Sequence, residues 1–368
     1  MILKRFSAES FRNIEKCNIE FSPGVNLIHG MNAEGKTNAI EGIYLFSRGR
    51  SFRAKEDREL VSFGKEGFRI SVDYEDESGI NSLEYSLFGR ERRRKKNGYR
   101  LSKVTEMIGN FKTVLFIPDD LGLVKMGPEE RRAFLNVAIS QCYPAYVKIY
   151  SDYKTALENR NAILKNCSKG NYYDQAELIC WSERMADYAA DIYKFRKDYV
   201  KRLSIYARDF MKDISDGSEE LSLEYKCDIE DANEREEIKA LYISRLTSNL
   251  EREKIVGQSL YGVHRDDLEI YINGNPARYF ASQGQQRSVV LSLKIAEGEV
   301  NREICGEYPV FLFDDVLSEL DERRRKYLLC GIGERQIIIT SCEPNEMMEF
   351  ADNVIEVRAG AYVSTHRK

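Results

Sequence analysis

Eight consecutive residues have the types and spacing of a phosphate-binding loop. They read Gly-Met-Asn-Ala-Glu-Gly-Lys-Thr from Gly30 to Thr37 and fit the pattern G-x-x-x-x-G-K-[ST]. In such a loop the glycines permit backbone conformations that a β-carbon would obstruct, and backbone N–H groups at a helix start face polyphosphate oxygens. Lys36 would add a cation for the β- and γ-phosphates, and the Thr37 hydroxyl a ligand for Mg²⁺. Because these four fixed positions match by chance in roughly 1% of chains this long, the neighbouring residues decide.

The residues on either side of the loop supply the context that the motif requires. Residues 25–29 form a short, mostly apolar run bounded by Pro23, Gly24 and Gly30, which is typical of a buried strand. In residues 38–46 the apolar side chains recur at helical spacing. A strand, a glycine-rich loop and a helix therefore follow one another in the order that phosphate binding needs. The alternative is a strand–helix turn that binds nothing, and the residues downstream weigh against it.

A second group of chemically active residues lies near the end of the chain. Residues 310–313 are apolar and lead directly into Asp314 and Asp315. In a nucleotide-hydrolysing site the first acid of such a pair holds Mg²⁺, and the second orients or deprotonates the attacking water. Together with the loop at residues 30–37, this strand predicts the second half of a nucleotide site. Residues 337–341 predict a further buried parallel strand, and hence an α/β sheet covered on both faces.

Between these two halves, Ser282 and Gly284 come just before a predicted helix at residues 289–300. A small hydroxyl and a glycine at a helix start make a second anion-binding terminus. Since one γ-phosphate does not need two such termini from one chain, we expect Ser282 and Gly284 of one subunit to close over nucleotide held by another subunit. Residues 318–321, just past the paired acids, are placed to cross the same interface.

The composition of the 368 residues is that of a soluble globular protein. Hydrophobic residues make up 42% of the chain and the formal net charge is −4, so any nucleic-acid surface must be a local patch. The eight cysteines include no C-x-x-C pair, which favours reduced thiols in a cytoplasm. The sequence contains neither a signal-peptide core nor a run of about 18 apolar residues, so we expect a cytoplasmic protein that does not insert into membranes.

Most of the first 118 residues have strand patterns. Residues 1–29 predict strands with a turn near residues 11–14, and residues 68–74 and 82–88 alternate like an antiparallel pair. A loop at residues 90–96, in which six of seven side chains are basic, leads to the hairpin-turn pair Asn97 and Gly98. A solvated hairpin tip and a contact with DNA phosphates are equal alternatives for this loop. The DNA-contact candidates are Arg90, Arg92, Arg93, Arg94, Lys95 and Lys96.

From Pro118 onward the pattern becomes helical. Apolar and aromatic residues at 146–164 and 178–210 recur at threes and fours, the second series as a sustained heptad, with a loop at residues 165–171 between them. They predict an antiparallel helical arm. Residues 221–225 and 268–272 predict strands, residues 233–250 a helix, and the polar cluster at 261–267 a surface salt-bridge network. We therefore expect an ATPase head in two parts, residues 1–118 and 251–368, separated by a helical arm or lid at residues 119–250.

Taken together, these stretches resemble the ATP-binding-cassette ATPases of the SMC-like branch. Besides the loop and the paired acids, the matching segments are residues 11–14, Asn38, residues 120–135, 158–161, 262–268, 282–287 and 313–321. They extend over nearly the whole chain. The resemblance implies an α/β fold, with a P-loop ATPase head of mixed sheets flanked by helices and an inserted antiparallel α-helical arm.

The resemblance also implies roles for individual residues. Thr37 and Asp314 would hold Mg²⁺, Lys36 and Asp315 would be catalytic, and Asp321 would occupy the D-loop position. The signature acting in trans on a second subunit would be Ser282, Gln283, Gly284 and Gln285. The ATP-binding residues would be Gly30, Met31, Asn32, Ala33, Glu34, Gly35, Lys36, Thr37 and Asn38, flanked by Arg12 and Asn13.

At the level of activity, the resemblance implies a weak, DNA-stimulated ATPase of recombinational repair. ATP would drive head-to-head homodimerisation on double-stranded DNA at single-strand gaps, where the protein would help RecO and RecR to place RecA. Several residues depart from the family pattern: Val263 replaces Pro, Phe52 replaces His, and Cys342 stands where many cassettes have His. Asp315 is also one methylene shorter than the usual Glu. We therefore expect slow hydrolysis, with ATP acting as a clamp timer.

Other functional classes share parts of this pattern. A transporter-coupling ATPase is not expected to have a long heptad arm. The series at 178–210 predicts such an arm and therefore argues against this class. A P-loop nuclease needs a cleavage module, and only 47 residues follow Asp321. A phosphotransferase does not need the element at residues 282–285. A DNA clamp with vestigial hydrolysis is compatible with every feature and remains the alternative.

Overall fold

The computed structural model describes residues 1–317, 320–331, 333, 335–342, 344, 347–358 and 360–366. They divide into two compact units. The first contains Met1–Leu121, Asp209–Ser218 and Gln283–Lys368, and the second contains Gly122–Arg208 and Glu219–Ser282. The chain thus returns to the first unit twice, at residues 209–218 and again from residue 283 onward. The functional division into head and arm stays a prediction.

Two six-stranded sheets form the framework of the first unit. The antiparallel sheet has the order β2-β1-β4-β5-β6-β7, with β1 (Ile2–Phe11), β2 (Ile14–Glu20), β4 (Gly67–Asp76), β5 (Gly79–Phe88), β6 (Glu91–Lys96) and β7 (Tyr99–Leu101). The other sheet has the order β15-β14-β3-β13-β12-β8, with β3 (Val25–His29), β8 (Thr113–Phe116), β12 (Val310–Asp314), β13 (Ile337–Ser341), β14 (Asn353–Arg358) and β15 (Ala361–His366). Its strands are parallel except for the edge strand β15.

Helices cover both faces of this largely parallel sheet. Helix α1 (Lys36–Arg48) contacts strands of both sheets, and its apolar side chains share one core with them. On β12, Leu312 faces that core. Phe311 points the other way, where its ring leaves no room for a β-carbon on Gly298 of helix α9 (Gln283–Cys305). Helix α10 (Glu322–Gly331) follows β12. The predicted α/β sheet with two covered faces is confirmed.

The second unit is mainly helical. It contains α2 (Gly122–Lys125), α3 (Pro128–Cys142), α4 (Pro144–Ser168), α6 (Arg235–Ser248), α7 (Leu250–Val256), α8 (Ala277–Phe280) and most of α5 (Gln175–Ile214). A small antiparallel sheet has the order β11-β10-β9, with β9 (Leu221–Lys226), β10 (Asp267–Ile272) and β11 (Asn275–Pro276). No helix in the described part of the chain is both long and apolar enough to span a bilayer.

The long helices α4 and α5 run antiparallel, as the two apolar series predicted. Near the start of α4 the Tyr146 ring packs edge-on against Phe195, and near its end Arg160 donates to the Ser182 hydroxyl at 2.8 Å. The loop between them begins only after Ser168, because α4 continues into the segment predicted as a loop.

The polar cluster at residues 261–267 is not the surface network that its charges predicted. Asp266 is 1% exposed, and it pairs at 3.2 Å with the guanidinium of Arg196, which is fully buried. The Tyr225 hydroxyl also donates to the Asp266 carboxylate. Because a buried charge is tolerated only when it is paired and hydrogen-bonded, these partners from α5 and β9 explain how the cluster enters the interior.

Candidate nucleotide-binding site

The phosphate loop joins β3 to α1, and its geometry requires both glycines. Gly35 precedes α1 with φ +119°, in the left-handed region. A β-carbon there would lie 2.8 Å from Oδ1 of Asn13. A β-carbon on Gly30 would lie 2.4 Å from the carbonyl oxygen of Val357 in β14. No side chain fits at either position without moving a neighbour.

The ammonium group of Lys36 is held inside the loop. Lys36 is 7% exposed, and its Nζ donates to the carbonyl oxygens of Gly30 at 2.8 Å and Met31 at 2.9 Å. A third contact, at 3.3 Å, goes to Sγ of Cys342, which follows β13 and also lies 2.7 Å from Oδ1 of Asn32. The cation is therefore already at the centre of the loop, where a phosphate oxygen can replace these partners.

The loop and the paired acids meet at the carboxyl ends of β3, β12 and β13. Thr37 donates from Oγ1 to Oδ1 of Asp314 at 3.0 Å, and Thr340 donates to the same oxygen at 2.7 Å. Burial raises the pKa of Asp314, while the hydrogen bonds from both threonines and the charge of Arg53 act against that rise. Asp315 is exposed, has φ +55°, and donates its backbone N–H to Thr340. Hydroxyl and carboxylate oxygens at this separation are suitable ligands for one Mg²⁺.

The turn between β1 and β2 flanks the loop. Nδ2 of Asn13 donates to the carbonyl oxygen of Ala33 at 3.1 Å, and Oδ1 of Asn13 accepts from Asn38 at 2.6 Å. Arg12 precedes Asn13 in the same turn and has φ +54°. Asn13 and Asn38 thus lie directly beside the phosphate loop.

Two further residues at this site were not predicted from the sequence. Glu41 on α1 is completely buried and receives a two-pronged contact from Arg12. A charged residue inside the apolar series at 38–46 was the signal for it. Tyr362 on β15 donates to the carbonyl oxygen of Gly35 at 2.9 Å, and burial raises its pKa. No local pattern marks Tyr362, because its role depends on strand pairing at the far end of the chain.

Three of the four predicted signature residues lie in the first turn of a helix. Helix α9 begins at Gln283, so Gly284 and Gln285 lie inside it, and the predicted start at residue 289 is wrong. The polar Gln and Arg residues at 283–287 continue a helix well, whereas the glycine suggested a loop. Ser282 directly precedes the helix.

Asp321, the predicted D-loop residue, is linked to the start of α9 through Arg324. Oδ1 of Asp321 accepts the backbone N–H of Arg324 at 2.8 Å, and the Arg324 guanidinium donates to Ser288 of α9 at 3.0 Å. The start of α10 is therefore connected to the start of α9 within the first unit. Ser318 and Glu319, which were expected near the same interface, lie outside the described residues.

The basic run at residues 90–96 is mostly a strand, not the predicted loop. β6 (Glu91–Lys96) pairs with β5, so backbone pairing overrides the weak strand preference of its basic residues. The hairpin turn at Asn97 and Gly98 is confirmed, since both residues have positive φ. Alternation along β6 points its side chains to two faces, and most have protein partners: Arg92 with Asp57, Arg93 with Glu91, Arg94 over the Tyr85 ring, Lys95 with Glu84, and Lys96 with Asn110.

Comparisons with known proteins agree with this geometry. The family model described as the RecF/RecN/SMC N terminal domain matches residues 2–365. A DNA replication and repair protein RecF from Clostridioides difficile is 36% identical over 359 residues, covering 97% of this chain and 96% of the relative. One from Ruminiclostridium cellulolyticum is 39% identical over 345 residues and covers 92% of each.

Solved structures show the same relationship. A structure of the recombination mediator protein RecF with ATP in the RecFOR pathway is similar with a TM-score of 0.91 and 34% identity, covering 99% of this chain and 97% of that one. The Smc head domain of Pyrococcus furiosus, at 18% identity and a TM-score of 0.59, shares the fold. This chain therefore belongs to the RecF family of DNA replication and repair proteins, within the SMC-like ABC ATPases.

Proposed function

We propose that this chain is an ATP-dependent DNA-binding protein of recombinational repair. In this proposal, two copies close head to head over bound ATP at the junction of single- and double-stranded DNA in a gap, and slow hydrolysis opens them again. The observation that carries the proposal is the convergence of Lys36, Thr37 and Asp314 on one edge of the parallel sheet. The RecF relative solved with ATP supports it.

The residues present fit ATP and Mg²⁺. Lys36 Nζ is surrounded by loop carbonyl oxygens that are weaker partners for a cation than phosphate oxygens are. Thr37 and Asp314 offer a hydroxyl and a carboxylate oxygen 3.0 Å apart, both of the hard type that Mg²⁺ prefers. Bound Mg²⁺ would neutralise charge on the β- and γ-phosphate oxygens. Asn13 and Asn38 would border the nucleotide.

Asp315 is the residue to which we assign the orientation or deprotonation of the attacking water. Its exposed carboxylate follows the buried Asp314, and the backbone bond to Thr340 fixes its unusual φ. Because Asp is one methylene shorter than Glu, its carboxylate reaches less far, which supports slow turnover. A clamp whose hydrolysis is vestigial is the alternative, and it differs only in this step.

The second subunit would complete the site. Ser282 and the first turn of α9 would present a hydroxyl and a helix N-terminus to the γ-phosphate held by the other copy. Asp321, beside this turn, would lie at the same interface. By family membership we extend the proposal to a cytoplasmic protein that cooperates with RecO and RecR in placing RecA, and whose ATPase is stimulated by DNA.

Two variants separate the steps of this proposal. Lys36→Ala should abolish binding of a fluorescent ATP analogue, and with it ATP-dependent retention of gapped DNA. Ser282→Arg should bind the analogue normally but lose ATP-dependent DNA retention, since the guanidinium would obstruct the partner's γ-phosphate. DNA retention by Ser282→Arg equal to that of the wild type would contradict the role of the signature in trans.

A further inference from the structure

Glu41 is a buried charged residue next to apolar core side chains. It lies on α1, one turn after Thr37, and is 0% exposed. Its neighbours Ile40 and Ile43 belong to the core that α1 shares with both sheets. Burying a carboxylate is costly unless charged groups and hydrogen-bond donors surround it, so its partners identify its role.

The partners of Glu41 come from two separate segments. Arg12 donates from Nε to Oε2 at 2.9 Å and from Nη2 to Oε1 at 2.7 Å, the two-pronged geometry of a strong guanidinium–carboxylate pair. The Ser51 hydroxyl donates to Oε1 as well. Nη1 of Arg53 lies 3.7 Å from Oε2. One buried carboxylate thus joins the β1–β2 turn and the segment after α1 to the helix that starts at the phosphate loop.

Both segments border the nucleotide loop. The residue after Arg12 is Asn13, which contacts Ala33, and Arg53 donates to Oδ1 of Asn38 at 3.2 Å. The turn that carries Arg12 is in the left-handed region at φ +54°, a conformation that most side chains avoid. Interactions elsewhere must therefore hold this turn in place, and the Glu41 pair is the strongest one described for Arg12.

We propose that Glu41 is a positioning residue for nucleotide binding, acting through Arg12; this inference rests on the proposed function of the site. Glu41 does not line the loop itself. Its carboxylate accepts hydrogen bonds from two of the five guanidinium N–H groups of Arg12. A third N–H group of Arg12 donates to the Glu59 carbonyl oxygen. The remaining donors, and the Asn13 amide beside them, are thereby set in place before ATP arrives, which lowers the entropy cost of binding.

The first test compares two buried carboxylates. Glu41→Gln keeps the shape of the side chain but removes the charge that holds Arg12. The matched control is Glu253→Gln in the second unit, where Glu253 pairs with Arg160 and both side chains are fully buried. We expect Glu41→Gln to weaken binding of a fluorescent ATP analogue about tenfold. We expect both substitutions to lower the thermal unfolding temperature by similar amounts. Only Glu41→Gln should change the ATP affinity, and Glu253→Gln should leave it unchanged.

A double-mutant cycle tests the route through Arg12. If Glu41 acts through Arg12, Glu41→Gln will weaken ATP binding no further in an Arg12→Ala background. Fully additive losses, or wild-type ATP affinity in Glu41→Gln, would overturn the proposal. If Glu41→Gln does not fold, Glu41→Asp replaces it in the same double-mutant cycle. This variant keeps the negative charge but has a side chain one methylene shorter. Retained ATP binding in Lys36→Ala would instead overturn the proposed function of the site.

Discussion

The hydroxyl of Thr37 donates a 3.0 Å hydrogen bond to the carboxylate of Asp314, although 277 positions separate the two residues in the chain. The parallel order β3-β13-β12 explains this proximity, since it brings the carboxyl ends of the three strands to one edge. Thr340, on the strand between them, donates to the same carboxylate. The fold thus assembles the oxygen atoms of a Mg²⁺ site beside the phosphate loop.

Asp314→Asn should uncouple ATP binding from Mg²⁺. The amide keeps the size of the side chain but loses the anionic ligand. We therefore expect the factor by which Mg²⁺ tightens ATP binding to be about tenfold or more smaller in this variant than in the wild type. Titration of a fluorescent ATP analogue with and without Mg²⁺ measures this. Asp73→Asn, which removes a half-buried partner of Arg5 in the antiparallel sheet, is the control. An unchanged Mg²⁺ effect in Asp314→Asn would contradict the assignment.

Glu34→Gln should tighten ATP binding. The Glu34 carboxylate folds back onto the loop and accepts the backbone N–H of Met31 at 2.6 Å, an amide of the phosphate-binding loop. Removing this negative charge lowers repulsion of the polyphosphate, and we expect a gain in affinity of about threefold that shrinks at high salt. Glu15→Gln, an exposed change of equal charge on β2, should have no such effect. Weaker binding in Glu34→Gln would show that the carboxylate supports the loop.

Loss of the His264 imidazole should change the pH dependence of stability. Burial lowers the pKa of His264 to about 4, with further lowering by Arg265, Arg132 and Arg160 and an opposing hydrogen bond with the Ser259 carbonyl. In the unfolded chain, His264 therefore binds a proton below about pH 6.5, whereas in the folded chain it binds one only below about pH 4. Stability is lost as the pH falls through this window, by about 3 kcal/mol at most.

The comparison with His264→Asn isolates this contribution. Burial raises the pKa of the neighbouring Asp266 to about 6, which has the opposite effect on stability, but that effect is present in both proteins. We expect the wild type to lose stability relative to His264→Asn as the pH is lowered from 7 to about 4.5, measured by urea unfolding. Parallel pH profiles would show that His264 is not the group responsible.

Two arginines of the basic run should respond differently to removal. Arg90 lies exposed in the turn before β6. If the run contacts DNA, Arg90→Ala should weaken ATP-dependent binding to gapped DNA and reduce its salt slope by about one. Arg94 stacks over the buried Tyr85 ring at 4.7 Å, so Arg94→Ala should cost about 1 kcal/mol of stability. Unchanged DNA binding and salt slope in Arg90→Ala would favour the solvated hairpin.

The features that could be predicted from the sequence are those whose signal is local. The loop at residues 30–37, the strand before Asp314 and the long helix α5 each carry a continuous pattern of residue types. By contrast, β6 was expected to be a loop because its side chains are mostly basic and have weak strand preference. The strand forms through backbone pairing with β5. The start of α9 was placed too late because Gly284 suggested a break.

Other features depend on partners far apart in the chain. Asp266 was expected at the surface, and its burial is made tolerable by Arg196, 70 residues earlier, together with the Tyr225 hydroxyl. The same applies to Glu41, whose partner Arg12 lies 29 residues before it. A single sequence shows the charge of each residue but not which opposite charge will meet it, so such pairs require the tertiary structure.

The proposed pairing of two copies by ATP is tested most directly by the mass of the protein in solution. Light scattering with and without ATP and Mg²⁺, on an Asp315→Asn variant that suppresses turnover, should show a monomer without nucleotide and a dimer with it. Ser282→Arg in the same background should stay monomeric while still binding ATP. A monomer under both conditions, with ATP demonstrably bound, would contradict a site completed by a second subunit and would leave a single-subunit P-loop protein.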